Sequence, residues 1–234
     1  MSRIKGILFD KDGTLVDFNK TWFAIGDMLA LEAAGGDRSR ADALMAQAGY
    51  DFRQRRFIAD SVFAAGTNAD VVGLWYPDLE PGLRGELLTR FNGITATNGA
   101  AKAVALPGIV KAIATLHEQH YRLGVATNDS TGGAEQTLLM LGIAQMFDAA
   151  YGYDAVARPK PAPDTVESFC LLTGLKPAEV AMVGDNGHDM EMAHNAGCGL
   201  AVGVLSGTGT RASLGRADVL LESVVDLPAY LASR

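Results

Sequence analysis

Asp10-Lys11-Asp12-Gly13-Thr14 sets two carboxylates at i and i+2 directly after an apolar run. A carboxylate at the end of such a run can ligate a hard cation such as Mg²⁺ through oxygen. It can also attack phosphorus as a nucleophile and form an aspartyl-phosphate. A second carboxylate two residues on is placed to protonate a leaving alkoxide and then to deprotonate water. Asp and Gly also favour ordinary turns, so a polar turn competes as an account of this motif alone.

Three further motifs have the same position, each after an apolar run or beside a helix start. Thr127-Asn128-Asp129-Ser130 offers a hydroxyl and helix N-terminal amides, which suit a phosphate. The same residue types also serve as plain helix caps. Arg158-Pro159-Lys160-Pro161-Ala162-Pro163-Asp164 carries three prolines that stiffen a loop. A stiff loop would hold the Lys160 ammonium against charge on a phosphate and on Asp10; the plain alternative is a solvated lysine in a linker. Gly184-Asp185-Asn186-Gly187-His188-Asp189 supplies Asp185 to complete a Mg²⁺ site with Asp10. Asp189, four residues later, is placed to orient metal-bound water from behind the ligands. Carboxylates gathered beside Asp10 and Asp12 would repel without a cation, although a capped turn also accounts for this stretch.

The elements that must position these groups alternate. Short apolar runs at residues 4–9, 122–126, 180–183, 200–204 and 219–221 read as buried strands. Helical spacing marks residues 109–117, 130–141, 165–172 and 189–196, with Gly142 and Gly197 at two of the C-terminal ends. Alternation of this kind predicts an α/β fold, a Rossmann-like parallel sheet with helices on both faces. Residues 17–105 differ: they show no convincing strand run, and residues 21–34, 39–48, 68–75 and 81–91 look helical. The expected organisation is an α/β core from residues 1–16 and 106–234 with an all-α insertion at 17–105.

Composition narrows the classes. Of 234 residues, 48% are hydrophobic and 20% charged, which fits a globular chain and excludes a disordered one or a coiled coil. A net charge of −7 argues against a broad nucleic-acid surface. The two cysteines, Cys170 and Cys198, lack the spacing of a disulfide framework or a zinc site. Residues 1–5 lead straight into the first strand without the apolar region of a signal peptide. The uncharged stretch 192–210, except for its histidine, contains five glycines and reads poorly as a membrane span. A cytoplasmic protein without a membrane partner is expected, either monomer or homodimer.

Taken together and in this order, Asp10-x-Asp12-Gly13-Thr14, Thr127-Asn128, Lys160-Pro161 and Gly184-Asp185-x-x-x-Asp189 resemble the haloacid dehalogenase-like superfamily. Within it the chain resembles the phosphoglycolate-phosphatase-like hydrolases with a helical cap, over almost its whole length. The resemblance implies that Asp10 is the nucleophile and a Mg²⁺ ligand. It makes Asp12 the general acid/base, with its backbone carbonyl on the metal, and Asp185 the remaining side-chain ligand with Asp189 behind it. Thr127 and Asn128 would bind the transferring phosphoryl group, and Lys160 would stabilise its charge. Superfamily members that attack carbon lack the second aspartate, so Asp12 favours phosphoryl transfer. The implied substrate is a small phosphorylated metabolite, with phosphoglycolate as the family-level expectation. A phosphosugar mutase of the β-phosphoglucomutase kind, or a non-catalytic phosphometabolite-binding protein, would use the same core residues.

Weaker signals lie mostly in the insertion. Arg53, with Arg55 and Arg56, could meet an anionic substrate, although a solvated helix face is the favoured plain account of them. Asn19 and Lys20 are weighed the same way, while Trp22 and Trp75 read as core. Gly207-Thr208-Gly209-Thr210-Arg211-Ala212 partly matches a dinucleotide fingerprint, but too little chain follows, so a surface loop is expected. His117, His120, His188 and His194 lack zinc-ligand company.

Overall fold

The computed structural model describes residues 4–233, so the start of the N-terminal reading, residues 1–3, lies outside the described residues. The chain opens with β1 (Gly6–Phe9) and passes into a helical segment. That segment comprises α1 (Phe18–Ala33), α2 (Arg38–Gln47), a hairpin of β2 (Tyr50–Asp51) and β3 (Arg56–Phe57), α3 (Val62–Ala65), α4 (Asn68–Trp75) and α5 (Pro81–Ala101). Alternation then follows through α6 (Ile109–Glu118), β4 (Arg122–Ala126), α7 (Thr131–Met140), β5 (Ala149–Tyr151) and α8 (Asp164–Thr173). It ends with β6 (Val180–Gly184), α9 (Gly187–Ala196), β7 (Leu200–Val204), β8 (Val219–Leu221) and α10 (Leu227–Ala232).

Six strands form one parallel sheet in the order β5-β4-β1-β6-β7-β8. Both faces are covered, which is why β1, β6 and β7 are buried along their full length. Side chains alternate between the faces. Ile7 and Phe9 of β1 join Val125, Val183 and Val202 in a cluster with α6, α7 and α10. Leu8 faces the other way, with Met182 and Ala201, against Phe169 of α8 and Met190 of α9. A third cluster lies within the helical segment, built from α1, α2, α4, α5 and the hairpin around Trp22, Phe57, Trp75 and Phe91.

Register explains where chemistry can occur. Phe9 pairs with Val125 on one side and Val183 on the other, so three central strands end level. The chain leaves β1 for β4 on one side and β6 on the other, and such a switch point opens a crevice at the carboxyl ends of the strands. Asp10, Thr127 and Asp185 are the residues delivered there.

Three details depart from the sequence expectation. The strand β5 was not anticipated: it is three half-buried residues at the sheet edge, too short for a periodic signal. The insertion is not all-α, because the Tyr50–Phe57 and Asp51–Arg56 pairs close a small antiparallel hairpin. Helix α5 continues past residue 91 to Ala101, through Gly93 and Gly99. Gly99 packs against Trp22, and tertiary contact overrides glycine's weak helix propensity. The uncharged stretch at 192–210 divides between α9, β7 and the following loop, and among the described residues no helix is long and apolar enough to cross a membrane.

Phe169 anchors α8 on the sheet. Its ring lies over Gly6 and Gly124 on adjacent strands, where an added Cβ would come within 3.0 and 2.9 Å of the ring's edge. The ring is fully buried. Phe169→Ala should therefore lower the unfolding free energy by about 3–5 kcal/mol, read from urea titrations. A loss below about 1 kcal/mol would show that α8 is held elsewhere.

Candidate active site

Asp10 is buried at the end of β1, and its backbone N–H donates to the Val183 carbonyl at 2.8 Å. Lys160, from the proline-rich loop before α8, donates to Asp10 Oδ1 at 2.7 Å and to Asp189 Oδ1 at 2.6 Å. Asp189 is held from its other side by the Asn186 backbone N–H at 3.0 Å to Oδ2. Asp185 is fully buried and forms no direct ion pair among the described residues. Its Oδ2 accepts from the Thr208 N–H at 2.7 Å and the Thr208 hydroxyl at 3.2 Å, and its Oδ1 from Asn186 Nδ2 at 3.2 Å. Gly13 and Gly207 are required beside it, because a Cβ on either would overlap the Asp185 carboxylate. Gly13 also takes a left-handed backbone, φ 84°, that a side chain would disfavour.

One carboxylate oxygen from each of Asp10, Asp185 and Asp189 lies within 4.8 Å of the other two. An all-oxygen donor set suits a hard divalent cation, and buried Asp185, lacking an ion-pair partner, is the group such a cation would neutralise. Both oxygens of Asp189 are engaged, by Lys160 and Asn186, and both of Asp185 by neutral donors of Thr208 and Asn186, while Asp10 meets Lys160 through Oδ1.

Asp12 lines the same cleft, and its side chain is held by other partners. Its Oδ2 meets the Lys11 ammonium at 2.5 Å and its Oδ1 accepts the Trp22 indole N–H at 2.5 Å. Lys11 also meets Asp129 at 3.2 Å and lies 5.3 Å from the centre of the Trp22 ring. Thr127 is buried at the end of β4, and its hydroxyl accepts the Asp129 N–H at 3.1 Å. Asn128, also in the cleft lining, is held by contacts from both sides of it. Its Nδ2 donates to the Ala65 carbonyl at 2.8 Å and to the Lys160 carbonyl at 3.3 Å, while its buried Oδ1 lacks a hydrogen-bond partner.

The electrostatics follow from five buried carboxyl groups facing two ammonium groups. Burial pushes Asp10 up to about 7; Lys160 opposes this, and the charges of Asp189 and Asp12 reinforce it. Asp185 stands well above the usual carboxylate range, from burial first and then from Asp10 and Asp189. Burial also raises Asp129 despite Lys11. Burial alone would lower the two lysines, but Asp10 and Asp189 hold Lys160 above its ordinary value, and Asp12 and Asp129 do so for Lys11.

The structure thus brings together Asp10, Asp12, Thr127, Asn128 and Lys160 along one cleft, with Asp185 and Asp189 beside Asp10. It does not bring Arg53 there. Arg53, Arg55 and Arg56 are exposed around the β2–β3 hairpin, outside the cleft lining, because the Asp51 carboxylate closes that turn by accepting the Arg53 and Gln54 N–H groups. Asn19 braces β3 through the Phe57 N–H, and Lys20 pairs with Asp17 at the surface. Trp75 is core, donating to the Leu44 carbonyl, whereas Trp22 reaches Asp12 as well. The Gly207-Thr208 stretch is a correction: it is a loop, but Thr208 is buried on Asp185. The paired Gly-Thr repeat after β7 was the signal available for it. His188 lines the cleft and contacts the Ala65 carbonyl at 3.2 Å, while His194 contacts the Arg216 carbonyl. Cys170 and Cys198 are free thiols.

Comparison with known proteins agrees with this geometry. Residues 4–197 match the haloacid dehalogenase-like hydrolase family. The chain is 29% identical over 240 residues to a phosphoglycolate phosphatase of Salmonella typhimurium, covering 97% of this chain and 92% of that protein. It is 30% identical over 236 residues to the phosphoglycolate phosphatase of Escherichia coli K12, covering 96% and 91%. A solved structure of a predicted phosphoglycolate phosphatase from Haemophilus somnus superposes with a TM-score of 0.74 at 23% identity, covering 98% of this chain and 99% of that one. The chain belongs to the haloacid dehalogenase-like hydrolases. It is a phosphatase, a phosphoric monoester hydrolase.

A carboxyl group whose folded pKa lies above its unfolded value contributes stability fully below the unfolded value, here 3.8, and loses that contribution as pH rises through the folded value, here about 7. In EDTA the protein should therefore lose thermal stability between about pH 4 and pH 7. Adding Mg²⁺ should raise the melting temperature more at the upper end of that window, where Asp10 ionises and the charge of the cluster increases. A Mg²⁺ effect equal at both ends would remove these carboxylates from the cation site.

Proposed function

We propose that the protein hydrolyses a small phosphate monoester through an aspartyl-phosphate on Asp10, with Mg²⁺ held by Asp10, Asp185 and the Asp12 backbone carbonyl. The observation that supports this most is the buried contact of Lys160 with both Asp10 and Asp189, beside an Asp185 that lacks an ion-pair partner. Such a set is poorly suited to stability alone, since unpaired buried carboxylates are destabilising, and well suited to holding a dianionic phosphoryl group with a cation.

In this reading Asp10 attacks phosphorus. The bond to the ester oxygen breaks, its electron pair stays on that oxygen, and Asp12 supplies the proton. Asp12 then removes a proton from water, the water oxygen attacks phosphorus, and the Asp10–phosphorus bond breaks to return the carboxylate. Thr127 and Lys160 hold the phosphoryl oxygens. Bound Mg²⁺ would supply further positive charge to the phosphoryl group.

The helical segment, residues 17–105, is read as a cap over a core of residues 1–16 and 106–234. Contacts at the cleft support this: Ala65 on Asn128, Asp60 on the Gly187 N–H at 2.8 Å, and Trp22 on Asp12. A cap excludes water while the phosphoryl group is transferred. The partner in this reading is a small phosphorylated metabolite of the cytoplasm.

Phosphate release with Mg²⁺ tests the proposal, with phosphoglycolate as the reference ester because of the relatives' names. Asp10→Asn should reduce release to background while the protein stays folded. Asp12→Ala should lower kcat by about 10²–10⁴-fold, and EDTA should silence the wild type. Substantial turnover by folded Asp10→Asn would remove Asp10 as nucleophile.

A further inference from the structure

The cleft that begins at Asp10, Thr127 and Lys160 continues into the helical segment, and its far wall is apolar. Phe18, Trp22, Leu29, Phe63, Val71 and Phe91 line it. Trp22 and Phe63 meet edge to face, with ring centres 6.3 Å apart and planes at 73°. Leu29 and Phe91 are each 1% exposed and back this wall, so the surface it offers a ligand is led by half-buried Phe63 beside Trp22.

Cations are scarce in this lining. Lys160 is the one lysine or arginine in it, and both Asp10 and Asp189 engage it. Lys11 lies behind, between Asp12 and Asp129. The arginines Arg53, Arg55 and Arg56 are outside the lining and exposed. A carboxylate on the leaving group would thus find no free lysine or arginine in the lining, only the His188 ring beside the Ala65 carbonyl, and would face the acidic side chains of Asp12 and Asp129. Both effects oppose its binding.

Hydrogen-bond donors are also committed. Thr67 donates its hydroxyl to Asp70 at 2.8 Å, and Asn68 directs its amide to Asn92 at 2.9 Å and Thr95 at 2.8 Å. A polyhydroxylated leaving group such as a sugar would exchange water for the unpartnered Asn128 Oδ1 and, at Thr67 and Asn68, for groups already engaged with Asp70, Asn92 and Thr95.

Accepting the hydrolase reading above, we infer that the preferred leaving group is a neutral, ring-bearing apolar alcohol seated against Phe63 and Trp22. Aromatic walls favour a flat or compact ring through burial and ring–ring contact. The inference departs from the phosphoglycolate expectation in the leaving group and leaves the phosphoryl chemistry unchanged.

The test compares kcat/KM with Mg²⁺ for benzyl phosphate, phosphoglycolate and glucose 6-phosphate. Benzyl phosphate should exceed both others by at least ~10-fold. In Phe63→Ala the benzyl-to-phosphoglycolate ratio should fall towards one; a ratio cancels any change in the amount of folded enzyme. Phosphoglycolate hydrolysed as fast as benzyl phosphate, or faster, would overturn the inference while leaving the hydrolase reading intact. So would a wild-type ratio retained by Phe63→Ala. If no ester releases phosphate above the Asp10→Asn background, the hydrolase reading fails by itself. Calorimetry of the wild type with Mg²⁺ then decides the leaving group, using 2-phenylethylphosphonate and 3-phosphonopropionate. Tighter binding of the phenyl compound supports the inference, and equal or reversed affinities overturn it.

Discussion

Lys160 is placed where negative charge accumulates, and much of the surrounding structure follows from that contact. Its ammonium touches Asp10 at the end of β1 and Asp189 in the first turn of α9, which joins two elements that would otherwise repel. Even with the ammonium in place, burial pushes Asp10 up to about 7. The remaining carboxylate, Asp185, is accommodated by neutral donors and by two glycines that leave room for it. A site under this constraint depends on a further cation or a proton, and that dependence is what makes it suited to a phosphoryl group rather than to structural support.

Much of this arrangement was legible because a parallel sheet converts linear order into spatial order. Asp10, Thr127 and Asp185 each follow an apolar run, and strands that end level must present such residues at one edge. Lys160 could be expected from the rigidity of its loop. What could not be read were contacts set by the return of distant chain. Thr208 meets Asp185 across 23 positions, and Asn128 turns its amide to Ala65 across 63. Neither residue's type distinguishes that role from a cap or a loop. Arg53 shows the opposite failure: the composition invited a substrate contact, but a turn closed by Asp51 directs the arginines outward. The edge strand β5 was missed because three half-buried residues carry no period.

The helical segment and the core meet through few polar contacts, each made by a residue with a second task. Asp60 takes a left-handed backbone, φ 56°, and accepts the Gly187 N–H at the start of α9. Aspartate tolerates that conformation better than most residues, and a carboxylate at a helix N-terminus is favoured by the exposed N–H groups. Asn186 and His188, adjacent to Asp185, contact the carbonyls of Ala64 and Ala65. The segment is therefore held against the loop that carries the buried acid cluster, so a change of charge in that cluster acts on residues directly bonded to it.

Trp22 carries this coupling furthest. Its ring forms part of the apolar wall, and its indole N–H donates to Asp12, the group that in the proposed mechanism exchanges a proton with the leaving oxygen. A leaving group that packs well on the ring fixes the ring's position, and the ring's position fixes one oxygen of Asp12. A leaving group that packs poorly, or that carries charge into this wall, disturbs the same side chain that orients the acid. Selection of the ester and delivery of the proton thus share one residue. Discrimination is then expressed in the rate of transfer as well as in binding, as required when contacts are strengthened in the transition state rather than the ground state.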